Sequence, residues 1–188
     1  MKDKKEKWKV KSSKYFYKDP WIRLRVDKVI RSNGLEGNYS VAEIKGGIGV
    51  VALTKDSKIV IVGQYRYAPD VYSWEIPKGA FSKFRSKESP LVVAKKELQE
   101  ETGTTAKSWQ KLTVVHTLLG SSDDKVFLFL AQDLKIGKSH PEKTEQIEVR
   151  KVSFDTFYEM VRDGEITDAT SIAAVALSEK LLRSQGVV

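Results

Sequence analysis

Apolar and polar positions change period several times along this chain, and each change marks an element. Residues 21–30, Trp-Ile-Arg-Leu-Arg-Val-Asp-Lys-Val-Ile, alternate in part, as a half-buried strand does. Asn33-Gly34 follows, a dipeptide suited to a hairpin turn. Further strands are expected at Tyr39 to Glu43, Ile48 to Leu53, Ile59 to Tyr65, Leu112 to Leu118 and Val126 to Ala131, and one more around Ile147 to Val149. Helices are expected at about 90–102, 153–163 and 169–183. In the first, Leu91, Ala94 and Leu98 form an apolar line at i, i+3, i+7; in the last, Ile172, Val175, Ala176 and Leu182 read as core, with Asp168 or Thr170 as its cap. Strands mixed with few helices, without regular alternation, suggest an α+β sandwich. At 188 residues the chain fits one domain with a substantial core, and no repeat or linker divides it.

The first helix carries a second pattern. Glu97, Glu100 and Glu101 fall within five residues. At ~100° per residue, Glu97 and Glu101 lie only ~40° apart, with Glu100 on the same side. Like charges so placed cost roughly 0.2–0.5 kcal/mol per pair, and a cation held between them reverses the sign. Mg²⁺ takes oxygen ligands, usually one or two carboxylates plus substrate phosphates. The competing reading is a solvated face, because glutamate is a good helix former. The surroundings favour the metal. The stripe borders the apolar line, which puts it at a cleft edge. Ser89-Pro90 supply an N-cap and a proline at the first helical position, and Thr102-Gly103 ends the helix. Upstream, Gly79 follows Trp74-Glu75-Ile76-Pro77-Lys78, and Glu88 stands just before the helix.

This arrangement resembles the signature of the Nudix hydrolases: Gly, five residues, Glu, seven residues, then Arg-Glu-U-x-Glu-Glu-x-Gly-U, with U a bulky aliphatic. Gly79 and Glu88 match the first two positions, and seven residues lead on to Lys96-Glu97-Leu98-Gln99-Glu100-Glu101-Thr102-Gly103-Thr104. There are three departures. Eight residues separate Gly79 from Glu88, a three-residue insertion within Phe81 to Lys87. Lys96 replaces the arginine, and an ammonium cannot copy the planar fork that orients the glutamates. Thr104 replaces the aliphatic residue.

The resemblance runs from about residue 21 to residue 182. Ile59 to Tyr67, followed by Trp74-Glu75-Ile76-Pro77, is similar to the ADP-ribose and nucleotide-sugar pyrophosphatases. It implies the Nudix fold, a mixed sheet flanked by helices, and Mg²⁺-dependent hydrolysis of the diphosphate bond of a nucleoside diphosphate sugar. Mn²⁺ is a possible substitute. By the same resemblance Glu97 and Glu101 are the primary metal ligands, Glu100 ligates directly or through water, and the Lys78 backbone carbonyl is a further ligand. Arg66 and Glu75 face the substrate diphosphate, and Asp124 is the acidic residue of the turn after the helix. Glu145 is the base that activates water, with Glu142 and Glu148 as rivals; Glu148 alternates with Ile147 and Val149 and reads as solvent-facing. The family's N-terminal strands, here about residues 15–45, exchange across a homodimer, and Tyr17 or Trp21 is the expected stacking partner for the base. Two rivals stand beside this reading. One is a non-catalytic module that binds ADP-ribose or a nucleotide sugar. The other is a dinucleoside polyphosphate or RNA-cap hydrolase, to which Pro77-Lys78-Gly79 is also similar.

Composition adds limits. The net charge is +8, but residues 1–14 hold seven lysines against two acids and contribute +5 of it. The charge is mainly that of a basic N-terminal tail preceding a domain at 15–188, which argues against a nucleic-acid face. The chain has no cysteine, which excludes thiolate catalysis and Cys-zinc sites. His116 reads as a strand residue and His140 as a loop residue, so a histidine metal site is not expected. No apolar run approaches the ~20 residues of a membrane span, and no signal-type stretch opens the chain, so a cytoplasmic location and no membrane partner are expected.

Overall fold

The structure is a computed structural model, and it describes residues 7–137 and 146–187. A three-stranded antiparallel sheet comes first: β1 (Lys9–Lys18), β2 (Ile22–Ile30) and β3 (Glu36–Ile44), in spatial order. The turn at Asn33-Gly34 joins β2 to β3, as its sequence predicts. The boundary expected at residue 14 is corrected. Residues 9–14 are strand, with Lys9 opposite Ile30 and Lys14 opposite Val26. β1 is exposed along almost its whole length, so its side chains carry no alternation to read.

The second sheet has seven strands: β4 (Gly47–Leu53), β5 (Ile59–Arg66), β6 (Val71–Glu75), β7 (Lys78–Ala80), β8 (Thr104–Val115), β9 (Val126–Ile136) and β10 (Glu148–Val152). Its main path runs β10-β5-β4-β9-β8, with β6 on β5 and β7 on β4. The β4–β9 pair is parallel and its neighbours antiparallel, so the sheet is mixed. The helices are α1 (Pro90–Thr102), α2 (Phe154–Arg162) and α3 (Ala169–Ser184).

Period-two alternation decides which helix covers which face. In β4, Ile48, Val50 and Ala52 point to α1, where Val93, Ala94 and Leu98 complete one core. Val51 and Leu53 point to the other face, where Phe154, Phe157 and Met160 of α2 and Ala174, Val175 and Leu182 of α3 form a second. Both faces are covered, which is why β4 reads as an unbroken apolar run. In α3 the buried positions are Thr170, Ser171, Ala174, Val175, Ser178 and Leu182, with Ser171, Ala174, Val175, Ser178 and Leu182 on one face at i, i+3, i+4 spacing; Ala176, expected in the core, is exposed.

The β8 strand begins at Thr104 and ends at Val115, earlier at both ends than the pattern suggested. It is an edge strand, and the stretch up to Lys111 (with Lys107, Ser108, Gln110 and Lys111) has few apolar positions to betray it. His116 falls just past its end and its Nδ1 lies 2.6 Å from the Asp124 carbonyl oxygen. The small sheet joins the large one through the Ala42 N–H, which donates to the Ser121 carbonyl, and the Tyr39 hydroxyl, which donates to that of Gly120. Among the described residues no helix is long and apolar enough to cross a membrane.

Leu98 is fully buried against β4 and β9. Leu98→Ala is expected to lower unfolding free energy by about 2–5 kcal/mol, read as a lower urea midpoint at unchanged slope.

Candidate functional site

The α1 helix enters after Ser89 and leaves at Gly103, whose φ of 67° is the left-handed value glycine favours; its N–H donates to the Gln99 carbonyl at 2.8 Å. Ser89 occupies the N-cap position, but its side chain makes no capping bond. With Ala94 and Leu98 fixed in the core, the helix has one permitted rotation. That rotation brings the acidic stripe to β7. Glu101 is buried, and its Oε2 accepts the Lys78 backbone N–H at 3.2 Å. Glu97 lies flat on Gly79: a Cβ there would collide with the Glu97 Cγ, Cδ and Oε1. Glu100 is half-exposed and pairs with Lys96 Nζ at 3.0 Å.

These groups line a cavity of about 550 Å³ together with Arg66, Lys78 and Trp21. The structure therefore brings Glu97, Glu100, Glu101, Lys78, Arg66 and Trp21 to one cleft. Glu75 stands behind it, 2% exposed. Its two oxygens take a fork from Arg66, Nε at 2.8 Å and a terminal nitrogen at 2.7 Å, and Lys78 Nζ adds a contact at 2.7 Å. Lys78 Nζ also lies 2.9 Å from Asp168. Burial pushes the Glu75 carboxyl up, but the Arg66 and Lys78 contacts outweigh it and hold the group below the usual carboxylate range. The same balance, burial against Lys78 and Ser171, leaves Asp168 below its ordinary value. The Glu75 hydrogen bond raises Arg66, with further contributions from the Glu101 and Asp168 charges.

Two expected residues lie elsewhere. Asp124 is buried in its own turn, where Oδ2 accepts the Thr117 N–H and hydroxyl and Oδ1 has no hydrogen-bond partner among the described residues. Its short side chain is used to close residues 117–124, and it does not line the cleft. Tyr17 donates its hydroxyl to Asp19 at 2.9 Å and is likewise away from the cleft lining. Glu145, with its rival Glu142 and with His140, lies outside the described residues. Glu148 is exposed on β10, paired with Arg150, but the expected alternation is absent there, since Val149 is exposed as well. Two contributors escaped the sequence reading. Lys45 sits over the Trp21 ring at 4.3 Å, and Asp168, expected only as a helix cap, also partners Lys78. It does cap α3, accepting the Ser171 N–H. Nothing in the local sequence pairs residue 168 with residue 78.

The inserted loop closes on itself. Glu88 accepts the Ser82 N–H and hydroxyl at 3.0 and 2.9 Å and the Ser86 hydroxyl at 2.7 Å. Among the described residues no three His, Asp or Glu side chains converge as a ready-made metal cage. Two carboxylates on backbone amide and glycine, in a cleft with an arginine, nonetheless form an all-oxygen donor set. That is what a hard divalent ion takes when phosphates supply its remaining ligands.

The fold and site have counterparts. A profile of the NUDIX domain matches residues 44–174, and a profile described as nucleoside diphosphate sugar hydrolase N-terminal domain matches residues 8–42. The ADP-ribose pyrophosphatase of Bacillus subtilis is 33% identical over 82% of this chain and 83% of its own length. The methanol dehydrogenase activator of Bacillus methanolicus is 30% identical over the same shares. A crystal structure of ADP compounds hydrolase superposes with a TM-score of 0.84 at 19% identity, covering 97% of this chain and 98% of that one.

A carboxylate held below its unfolded value adds stability above that value, and the addition is lost as pH falls through the folded one. The unfolding temperature is therefore expected to fall below about pH 4, and more shallowly in Glu75→Gln than in the wild type, by calorimetry across a pH series.

Proposed function

Since this chain belongs to the Nudix family and carries the N-terminal domain of nucleoside diphosphate sugar hydrolases, we propose that its cleft hydrolyses the diphosphate bond of nucleoside diphosphate sugars of the ADP-ribose, UDP-glucose or GDP-mannose type. A nucleoside monophosphate and a sugar phosphate are the products. One observation carries the reading: Arg66 and the α1 glutamates line a single cavity, a cation for diphosphate beside carboxylates for a divalent ion.

Each residue has a physical task. The fork to Glu75 fixes the Arg66 plane, and a guanidinium so held offers its remaining donors to phosphate oxygens. Glu75 acts through Arg66, since it is itself buried. Glu97 and Glu101, with Glu100 and the Lys78 carbonyl, would hold Mg²⁺, or Mn²⁺ in its place. Such an ion, when bound, neutralises charge on phosphoryl oxygens and lowers the pKa of water. Lys96 steadies Glu100 in place of the family arginine. Glu145 takes the proton from the attacking water, an assignment that rests on the resemblance of its segment. Trp21, backed by Lys45, offers a ring at the cleft edge on which a base can stack. Asp124 and Tyr17 have no part in this reading because of where they lie.

The partner proposed is a second copy of the chain. The small sheet leaves Trp8, Val10, Phe16, Tyr17, Leu24 and Tyr39 exposed, an apolar density that a partner sheet would remove from water. Light scattering after size exclusion is expected to give twice the 21.3 kDa chain mass, and a monomer at micromolar concentration would refute it.

Relatives at similar identity bear different names, so substrate identity needs direct measurement. Incubation with Mg²⁺ and ADP-ribose, UDP-glucose or GDP-mannose, read by product, is expected to release a nucleoside monophosphate from at least one. Binding without product would refute hydrolysis. Glu101→Gln keeps an acceptor for the Lys78 N–H and is expected to fold. Its turnover should drop by at least about a hundredfold, more than loss of an outer-shell partner costs. Full activity in that variant would overturn the metal assignment.

A further inference from the structure

Lys78 poses a problem for a cation site. Its backbone N–H donates to Glu101 Oε2, so its Cα stands beside that carboxylate, and its side chain lines the same cleft. An ammonium on a flexible four-carbon stem is a mobile point charge, and carboxylates meant for a metal are its natural target. In the structure the ammonium lies 2.7 Å from Glu75 and 2.9 Å from Asp168.

Glu75 alone is a poor restraint. Both its oxygens are already forked by Arg66, so it would have to balance two cations. Asp168 supplies the second negative charge and brings the group Arg66, Glu75, Lys78, Asp168 to neutrality. It is also a fixed anchor. Its Oδ2 accepts the Ser171 N–H at 2.9 Å and hydroxyl at 2.6 Å, and the buried Ser171 Oγ accepts the Ile76 N–H at 3.0 Å. Asp168 is thereby tied to the chain segment that carries Glu75 and Lys78. Without its charge, two cations compete for Glu75. The bidentate arginine stays and the singly held lysine leaves.

We propose that Asp168 is a positioning residue which tethers the Lys78 ammonium and so keeps it from competing with a divalent cation for the α1 glutamates. The proposal rests on reading those glutamates as the metal site. It predicts a specific non-additivity, because Asp168 matters to the metal only through Lys78.

The test is a four-cornered cycle of Mn²⁺ binding by titration calorimetry, without substrate: wild type, Asp168→Asn, Lys78→Met and the double variant. Asparagine caps helices as well as aspartate does, so the single change removes charge and spares the cap. Asp168→Asn is expected to weaken Mn²⁺ binding by about three- to tenfold, the effect of one competing ion pair. In the Lys78→Met background the same change is expected to leave binding unaltered. An equal loss in both backgrounds is what a long-range field alone produces, and it overturns the proposal. So does wild-type affinity in Asp168→Asn. Loss of folding in that variant by circular dichroism overturns it too, because the role would then be structural. Wild-type protein that takes up no Mn²⁺ removes the metal reading itself, whereas Mn²⁺ uptake without hydrolysis of any nucleotide sugar would sink the proposed reaction and leave this cycle interpretable.

Discussion

Two glutamates seated on the backbone of a three-residue strand govern the shape of the cleft. Glu101 takes the Lys78 N–H and Glu97 rests on Gly79, so α1 approaches β7 as closely as a residue without a side chain allows. The opposite side of the helix is locked by Ala94 and Leu98. Because each residue turns the helix by ~100°, fixing those two in the core aims the acidic stripe at β7. The strand is held in turn by β4, with Gly49 opposite Lys78 and Ile48 opposite Gly79, and the Val50 N–H donates to the Pro77 carbonyl. Helix, glycine and strand thus form one rigid unit, and the carboxylates have little freedom to drift.

Behind this unit runs a row of alternating charges: Arg66, Glu75, Lys78, Asp168. Buried ion pairs contribute little net stability, since desolvation offsets most of the attraction. Their effect here is directional. Glu75 fixes the plane of Arg66, and Asp168 joins the row to the start of α3. The Trp74 N–H, which donates to the Glu165 carbonyl at 3.0 Å, ties β6 to the same segment. Elements far apart in sequence therefore share responsibility for where one guanidinium points.

The departures from the family signature are absorbed locally. Glu88 closes the longer loop with its three hydrogen bonds. The loop then leans on the small sheet: Arg85 reaches Glu43, which Arg25 and the Tyr15 hydroxyl also contact, and Arg23 lies over the Phe84 ring at 4.0 Å. The insertion lengthens the loop and gives it a second footing on the N-terminal strands. A lysine in the arginine position still meets a glutamate, but through one nitrogen where a guanidinium would offer a fork.

What the sequence determined by itself follows from local rules. Residues 90–102 had to be a helix with Leu98 inward and Glu97 and Glu101 together, because proline, glycine and the 3.6-residue period leave no other arrangement. The buried strands β4, β5 and β9 were legible because covering both faces leaves unbroken apolar runs. The exposed edge strand β1 and the first half of β8 were not, since strands with a solvated face or edge need no apolar pattern. Tertiary structure alone decided that Trp21 lines the cleft while Tyr17 does not, that Asp124 turns inward, and that Asp168 meets Lys78. Those outcomes depend on which distant backbones approach each other, and periodicity along one chain carries no information about that.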